Sequence, residues 1–261
     1  MNTIRIDSWN ELQDALFLDS WDPVIERYRS RYAFRGLSNA DYPLDTTLMR
    51  LGGPYVELEK HLLRNFRKYA HRDVVERDSL WHWLSMAQHH GLPTRLMDWT
   101  YSPFVAMHFA LSNIEKYHCD GVIWAVNYLK THLMLPERLK NALELEGANV
   151  FTVGMLSQRA QSFSELAHMA ADPFVLFFEP PSIDDRIVNQ FAFFSIMSDP
   201  TARLDQWLVN VPHIWRRIVI PGELKWELRD KLDQANVTER VLFPGLDGLS
   251  SWLKRQYTPK A

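Results

Sequence analysis

Apolar positions along the chain recur at two spacings, one helical and one alternating. In "YVELEKHLLRNFRKYAHRD", Leu58, Leu62, Phe66 and Tyr69 fall at helical intervals, so a helix with that stripe turned inward is expected. "SLWHWLSMAQHHG" is apolar around most of its circumference. Ser79 can cap its start, and Gly91 followed by Pro93 ends it. "SPFVAMHFALSNIEKY" reads as a further helix, with Ser102 as N-cap and Pro103 in the first position. "IRIDSWNELQDALF" turns from brief alternation into a helix whose Ser8 and Glu11 have capping-box spacing. "ELKWELRDKLDQAN" is a clear helix, and "VLFPGLDGLSSWLKRQ" closes with a turn and a short one. Strands are expected at "RYAFRGLS", "DGVIWAVNYL", "FVLFFEPP", "RIVNQFAFFSIM" and "WRRIVIP", with "TRLMDWT" a short strand or extended turn. The unbroken apolar run in "DGVIWAVNYL" implies burial on both faces.

Helices and strands are interspersed without strict β-α-β alternation, and no glycine-rich phosphate loop follows a strand. That pattern favours an α+β fold: one domain over residues 1–261, a central mixed or antiparallel sheet, and flanking helices. Residues 131–171 look helical and irregular and are the natural place for an insertion. The chain has 261 residues, 46% of them hydrophobic and 13% aromatic, enough for a substantial core. Its net charge of −3 gives no global attraction for nucleic acid, so any anion binding must be local. Cys119 is the only cysteine, which rules out a disulfide framework within the chain and favours a reducing compartment. No apolar run approaches the ~18 residues of a membrane span, and "MNTIRIDSWNELQDAL" has no apolar signal core. A soluble cytoplasmic protein without membrane partners is expected.

Candidate chemistry is concentrated in three stretches. In the first, Arg35 lies between Phe34 and Gly36 at a strand end. Its guanidinium suits phosphate or carboxylate, or else a salt bridge, and Gly36 permits close approach of a ligand or another backbone. The second, "MAQHHGLPTRLMDWTYSPFVAMHFAL", gathers His89, His90, Thr94, Arg95, Asp98, Thr100 and Ser102. Either histidine sits where helix carbonyls favour a cation, and Arg95 can pair with Asp98 if the segment turns. Adjacent histidines project about 100° apart on a helix, which argues against a shared metal. In the third, "DDRIVNQFAFF", Gln190 is a polar side chain on a strand otherwise packed with Phe; it needs a hydrogen-bond partner, from backbone or from ligand. The basic run Arg64, Arg67, Lys68, His71, Arg72 is either a solvated helix face or a contact for an acidic partner such as RNA.

With these stretches in view, the chain is identified as resembling the FRG-domain family, named for the aromatic-Arg-Gly motif that here is Phe34, Arg35, Gly36. The match runs on through "YPLDTTLMR", "QHHGLPTRLMDWTYSPFVAMHFAL", "DRIVNQFAFFSI", "IVIPGELKWELRDKL" and "VLFPGLDGL". The pattern is also similar, more distantly, to ADP-ribosyltransferases. Those enzymes have an aromatic-Arg-Gly strand whose arginine binds NAD, then a hydroxyl-bearing strand running into a helix, then a strand carrying the catalytic residue. The resemblance implies an ADP-ribosyltransferase-like fold and NAD as substrate. It implies Arg35, His90, Asp98 and Gln190 as the catalytic set, and Arg35, Gly36, Thr94, Arg95, Thr100 and Ser102 as NAD-binding residues. It further implies a macromolecular acceptor, RNA or protein, and a bacterial toxin or phage-defence role with an antitoxin partner. The sequence departs from the transferases at Ala192, where they usually carry glutamate; Glu179, Asp185 or Gln190 would have to serve instead. Two other readings stay open. One is a nucleotide- or nucleic-acid-binding module without turnover. The other is a metal-dependent hydrolase using His89, His90 and Asp98.

Overall fold

A computed structural model describes residues 2–70 and 79–260. His71 and Arg72 of the basic run lie outside the described residues. The chain opens with β1 (Thr3–Arg5), α1 (Trp9–Phe17) and a hairpin of β2 (Trp21–Asp22) and β3 (Arg27–Tyr28), then enters β4 (Tyr32–Leu37). Next come α2 (Tyr55–Ala70), α3 (Leu80–His89), β5 (Leu96–Thr100), α4 (Pro103–Ala110) and β6 (Gly121–Asn127). The stretch expected as an insertion holds α5 (Tyr128–His132), α6 (Glu137–Glu146), β7 (Phe151–Thr152), α7 (Val153–Arg159) and α8 (Phe163–Ala167). The remainder is β8 (Val175–Glu179), α9 (Asp185–Asn189), β9 (Ala192–Met197), α10 (Leu204–Val209), β10 (Trp215–Ile220), α11 (Lys225–Gln234), α12 (Glu239–Leu242) and α13 (Leu246–Gln256).

Eight strands form one mixed sheet in the order β1-β10-β6-β4-β5-β9-β8-β7. Only the edge pairs, β1 with β10 and β7 with β8, are parallel. This is the expected α+β architecture of a large sheet flanked by helices. The sheet is weakest at its middle. β4 follows β6 from Tyr32 to Leu37 and β5 follows β9 from Leu96 to Thr100, but β4 and β5 meet in register only at Phe34 and Thr100. Continuing that register would set Gly36 opposite Asp98; instead the strands part.

The core follows this division. One apolar cluster packs α1, α4 and α11 onto the β4 half through Leu12, Met107, Leu228 and Phe34. A second packs α3, α6 and α7 onto the β5 half through Trp81, Leu84, Leu139, Leu156 and Phe194. A third lines the opposite face across both halves, with Ala33, Trp99, Trp124, Phe177 and Phe193. The segment 131–171 is part of this core: Leu139, Phe151 and Leu166 are fully buried, and β7 closes one sheet edge.

Local signals explain most element ends. Ser79 and Ser102 cap α3 and α4, accepting from the amides of His82 and Val105. Ser8 accepts from Glu11, while the Glu11 carboxylate reaches back one residue further than the motif requires, to the Asp7 amide (3.0 Å). Two expectations are corrected. The buried stripe of α2 is Glu59 and Leu63 with Phe66 partly buried, whereas Leu58 and Tyr69 are exposed. A charged residue takes a core position there because Arg95 neutralises it. The strand expected from Arg186 is instead helix α9, capped by Asp184, whose side chain accepts from the Ile187 amide. Phe191, at φ 48, marks the break before β9 begins at Ala192.

Candidate functional site

Where β4 and β5 part, the structure has an inner hollow of about 230 Å³ that includes Arg35, Gln88, His89, Asp98, Thr100, Gln190 and Ala192 in its wall. An outer hollow of about 740 Å³ shares Gln88, His89, Asp98 and Arg186 with it and adds His90, Asp184, Asp185 and Asp247. The two form one stepped cleft, of a size ordinary for small-molecule sites.

Arg35 reaches across the parted strands and donates from Nη1 to the Asp98 carbonyl at 2.6 Å. Its Nε is buried without a partner, and among the described residues no carboxylate lies in ion-pairing range of it. Burial pushes the guanidinium pKa down; the Asp98 charge opposes that, and nearby Arg50 adds to it. An enclosed cation with no carboxylate partner is costly for a folded chain, and an anionic ligand would offset the cost.

Asp98 is exposed to the cleft and held from behind. Gln88 donates from Nε2 to its carboxylate (2.9 Å), and the Thr94 hydroxyl donates to Gln88 Oε1 (2.5 Å), which fixes which way the amide faces. His89, not His90, projects into the inner hollow, its Nε2 2.6 Å from Asp184. His90 is exposed and borders only the outer hollow. Arg186 lies over the Phe243 ring, 5.1 Å from its centre, and reaches the His89 carbonyl. Asp184 titrates below the usual carboxylate range: burial opposes the shift, but the Ile187 amide and His89 outweigh it.

The other expected residues support the cleft from outside or have been drawn elsewhere. Arg95 forms a buried, two-pronged pair with Glu59 and lies over the Phe163 ring at 3.9 Å; it makes no pair with Asp98. Thr94 orients Gln88. Thr100 donates to the Gln190 carbonyl at 2.7 Å, and Ser102 is occupied with capping. Gln190 caps α9 and donates its amide to the Leu242 carbonyl at 2.9 Å, so its partner is backbone. Gly36 leaves room for α4, not for a ligand: a Cβ there would sit 1.8 Å from the Ala106 carbonyl. Of the substitutes for the missing glutamate, Glu179 accepts from Tyr101 at 2.9 Å and is not in the cleft wall, and Asp185 borders the outer hollow only. Among the described residues no group of three or more His, Cys, Asp or Glu is placed to hold a metal ion, so His89, His90 and Asp98 do not form a ligand set.

Residues 30–119 match the sequence model of the FRG domain. The chain carries an FRG domain. The matched segment includes β4, α2, α3, β5 and α4, and with them Arg35, Gln88, His89 and Asp98; α9, β9 and the C-terminal helices complete the FRG cleft from outside it. No curated protein and no solved structure matches the chain. Among the described residues no helix is long and apolar enough to cross a membrane. Gln88 and Arg186 carry much of the cleft's polarity beside His89, and these two were not singled out in sequence. Both lie inside the quoted motifs, each next to a residue that was, His89 and Asp185.

Proposed function

We propose that the FRG cleft binds NAD and that the protein transfers ADP-ribose from it to a macromolecular acceptor, RNA or protein, as the ADP-ribosyltransferases do. The observation that carries this reading is Arg35, an enclosed guanidinium that faces the cleft and is ion-paired to no carboxylate among the described residues. A diphosphate is the kind of anion that such a group holds. Strand order supports it: the three segments that resemble the transferase elements belong to β4, β5 and the α9–β9 turn, and these strands are neighbours in the sheet.

Asp98 takes the part usually played by the glutamate that Ala192 replaces, because its carboxylate faces both hollows and Gln88 holds it. The bond from nicotinamide nitrogen to ribose C1′ breaks, with the electron pair leaving on nicotinamide. The oxocarbenium-like ribose is stabilised by the Asp98 charge. The acceptor's nucleophile then bonds to C1′ and loses its proton to solvent through the open outer hollow. Such an enzyme fits a toxin or defence effector kept in check by a partner protein.

The test is incubation of the protein with labelled NAD and total cell RNA or protein. Wild type should release nicotinamide and label an acceptor; Asp98→Asn should do so at least about 100-fold more slowly, in line with loss of one transition-state charge contact. Undiminished turnover by Asp98→Asn would refute the assignment. A second reading, binding without turnover, is favoured by the engagement of the Gln190 amide with Leu242. It predicts NAD binding with no nicotinamide release.

A further inference from the structure

The last turn of α3 sets two neighbouring side chains against two carboxylates. Gln88 turns to β5 and holds Asp98; His89, about 100° further round the helix, turns to α9 and meets Asp184. His89 borders the inner and the outer hollow alike, so it stands where the two join. Its side chain is 8% exposed, which leaves it reachable from the cleft.

The pairing decides the state of the ring. A carboxylate can only accept, so the hydrogen between the two groups is on Nε2, 2.6 Å from Asp184 Oδ2. The lone pair of the neutral ring is therefore on Nδ1. Among the described residues nothing hydrogen-bonds to Nδ1, and unlike the sealed Nε of Arg35 it stays open to solvent. Asp184 is fixed in turn: its Oδ1 accepts from the Ile187 amide at 3.1 Å at the start of α9. It titrates below the usual carboxylate range and so remains charged. A carboxylate in that state is a poor proton acceptor and a good support for an imidazolium. The other polar groups around the ring are turned elsewhere. Arg186 faces the His89 carbonyl and the Phe243 ring, and Asp98 is held by Gln88. His90 meets His89 edge to face, with 5.1 Å between centroids.

We infer that His89 is a catalytic residue that takes the proton from the acceptor's nucleophile, with Asp184 positioning it. The inference rests on the transferase reading and supplies its last step. As the nucleophile's lone pair bonds to ribose C1′, its O–H or N–H bond gives up the proton to His89 Nδ1. Asp184 faces the imidazolium that results, and the proton passes on to solvent through the outer hollow. Asp98 and His89 thus divide the chemistry: one stabilises the ribose cation, the other prepares the group that captures it. This arrangement selects an acceptor whose nucleophile is neutral and protonated, such as a hydroxyl, over a thiolate or carboxylate, which has no proton to give.

The test measures label transferred per nicotinamide released, with labelled NAD and total cell RNA or protein. Water can capture the ribose cation without an acceptor, so this ratio isolates the acceptor step. His89→Gly should lower the ratio at least about 100-fold, the lower end of what a positioned proton acceptor contributes, and added imidazole should restore much of it. Asp184→Asn keeps the α9 cap through its oxygen but turns an amide hydrogen to Nε2, which forces the ring hydrogen onto Nδ1. Asp184→Ala loses the cap and leaves the ring free to choose. The asparagine variant should therefore transfer less than the alanine variant, although the alanine variant is the less stable of the two. A purely structural Asp184 would give the reverse order. A ratio within about threefold of wild type in His89→Gly, no rescue by imidazole, or a lower ratio in Asp184→Ala than in Asp184→Asn would overturn the inference alone. Wild type that releases no nicotinamide would overturn the transferase reading and this inference with it.

Discussion

Two arginines from the two most distinctive stretches of this chain meet opposite fates. Arg95 enters the core and is answered in full: the Glu59 carboxylate takes Nε and Nη2, and the Phe163 ring covers the guanidinium. Arg35 is enclosed at the parting of β4 and β5 and is answered by one backbone carbonyl, with its Nε left bare. The lesson is one of availability. Arg95 is a structural cation whose charge is cancelled within the fold. Arg35 has no such partner within the fold, and on the proposed reading an anion from outside supplies it.

The largest test of this contrast is Arg95→Ala, which strands the buried Glu59 carboxylate. Unfolding free energy from urea titration should drop by about 3–5 kcal/mol; a loss under about 1 kcal/mol would break the contrast. Gly36→Ala comes next. Its Cβ would collide with the Ala106 carbonyl, which cannot yield without shifting α4, and thermal unfolding should show a loss of about 1–3 kcal/mol. A third buried arginine, Arg229, is answered by the Asp233 carboxylate, the Val237 carbonyl and the ring of His108, and that histidine sharpens the comparison through pH. His108 titrates near 3 when folded against 6.5 in the unfolded chain, so between those values the unfolded chain binds the extra proton. Stability is therefore full above pH 6.5 and falls on acidification towards pH 3, by about 1.4 kcal/mol per unit from this residue. His132, held down to about 4 by burial, adds in the same direction. Unfolding free energy that stays flat from pH 7 to pH 5 would contradict this. The smallest stability effect belongs to Arg35→Ala, within about 1 kcal/mol of wild type, because the lost hydrogen bond is offset by removal of an unanswered charge.

What the sequence discloses is whatever short-range chemistry decides. The serine caps at Ser79 and Ser102, the α3 stop at Gly91 and the buried run of β6 are all local, and the expected elements coincide with the structure there. The site is readable as a neighbourhood for the same reason: the stretches around Arg35, Asp98 and Gln190 do border one cleft. Individual roles are not readable, because long-range partners assign them. Nothing near Arg95 in sequence points to Glu59, 36 residues away. Glu59 also rotates the buried face of α2 away from the Leu58–Tyr69 stripe. Gln190 reads as a strand residue because its neighbours alternate, yet Asp184 caps a helix there and the Leu242 carbonyl, 52 residues on, claims its amide. The choice between His89 and His90 turns on one helical step at the end of α3, and Asp184 settles it.

The contrast between a paired and a waiting arginine is tested most directly by calorimetric titration of NAD into wild type, Arg35→Ala and Arg35→Lys, each first shown to be folded. Wild type should bind, and Arg35→Ala should bind at least about 30-fold more weakly, the loss expected when one partner of an enclosed charge pair is truncated. Arg35→Lys should recover only part of that affinity, because an ammonium cannot reproduce the two-pronged contact. Equal affinity in wild type and Arg35→Ala, or no binding by wild type, would contradict the account.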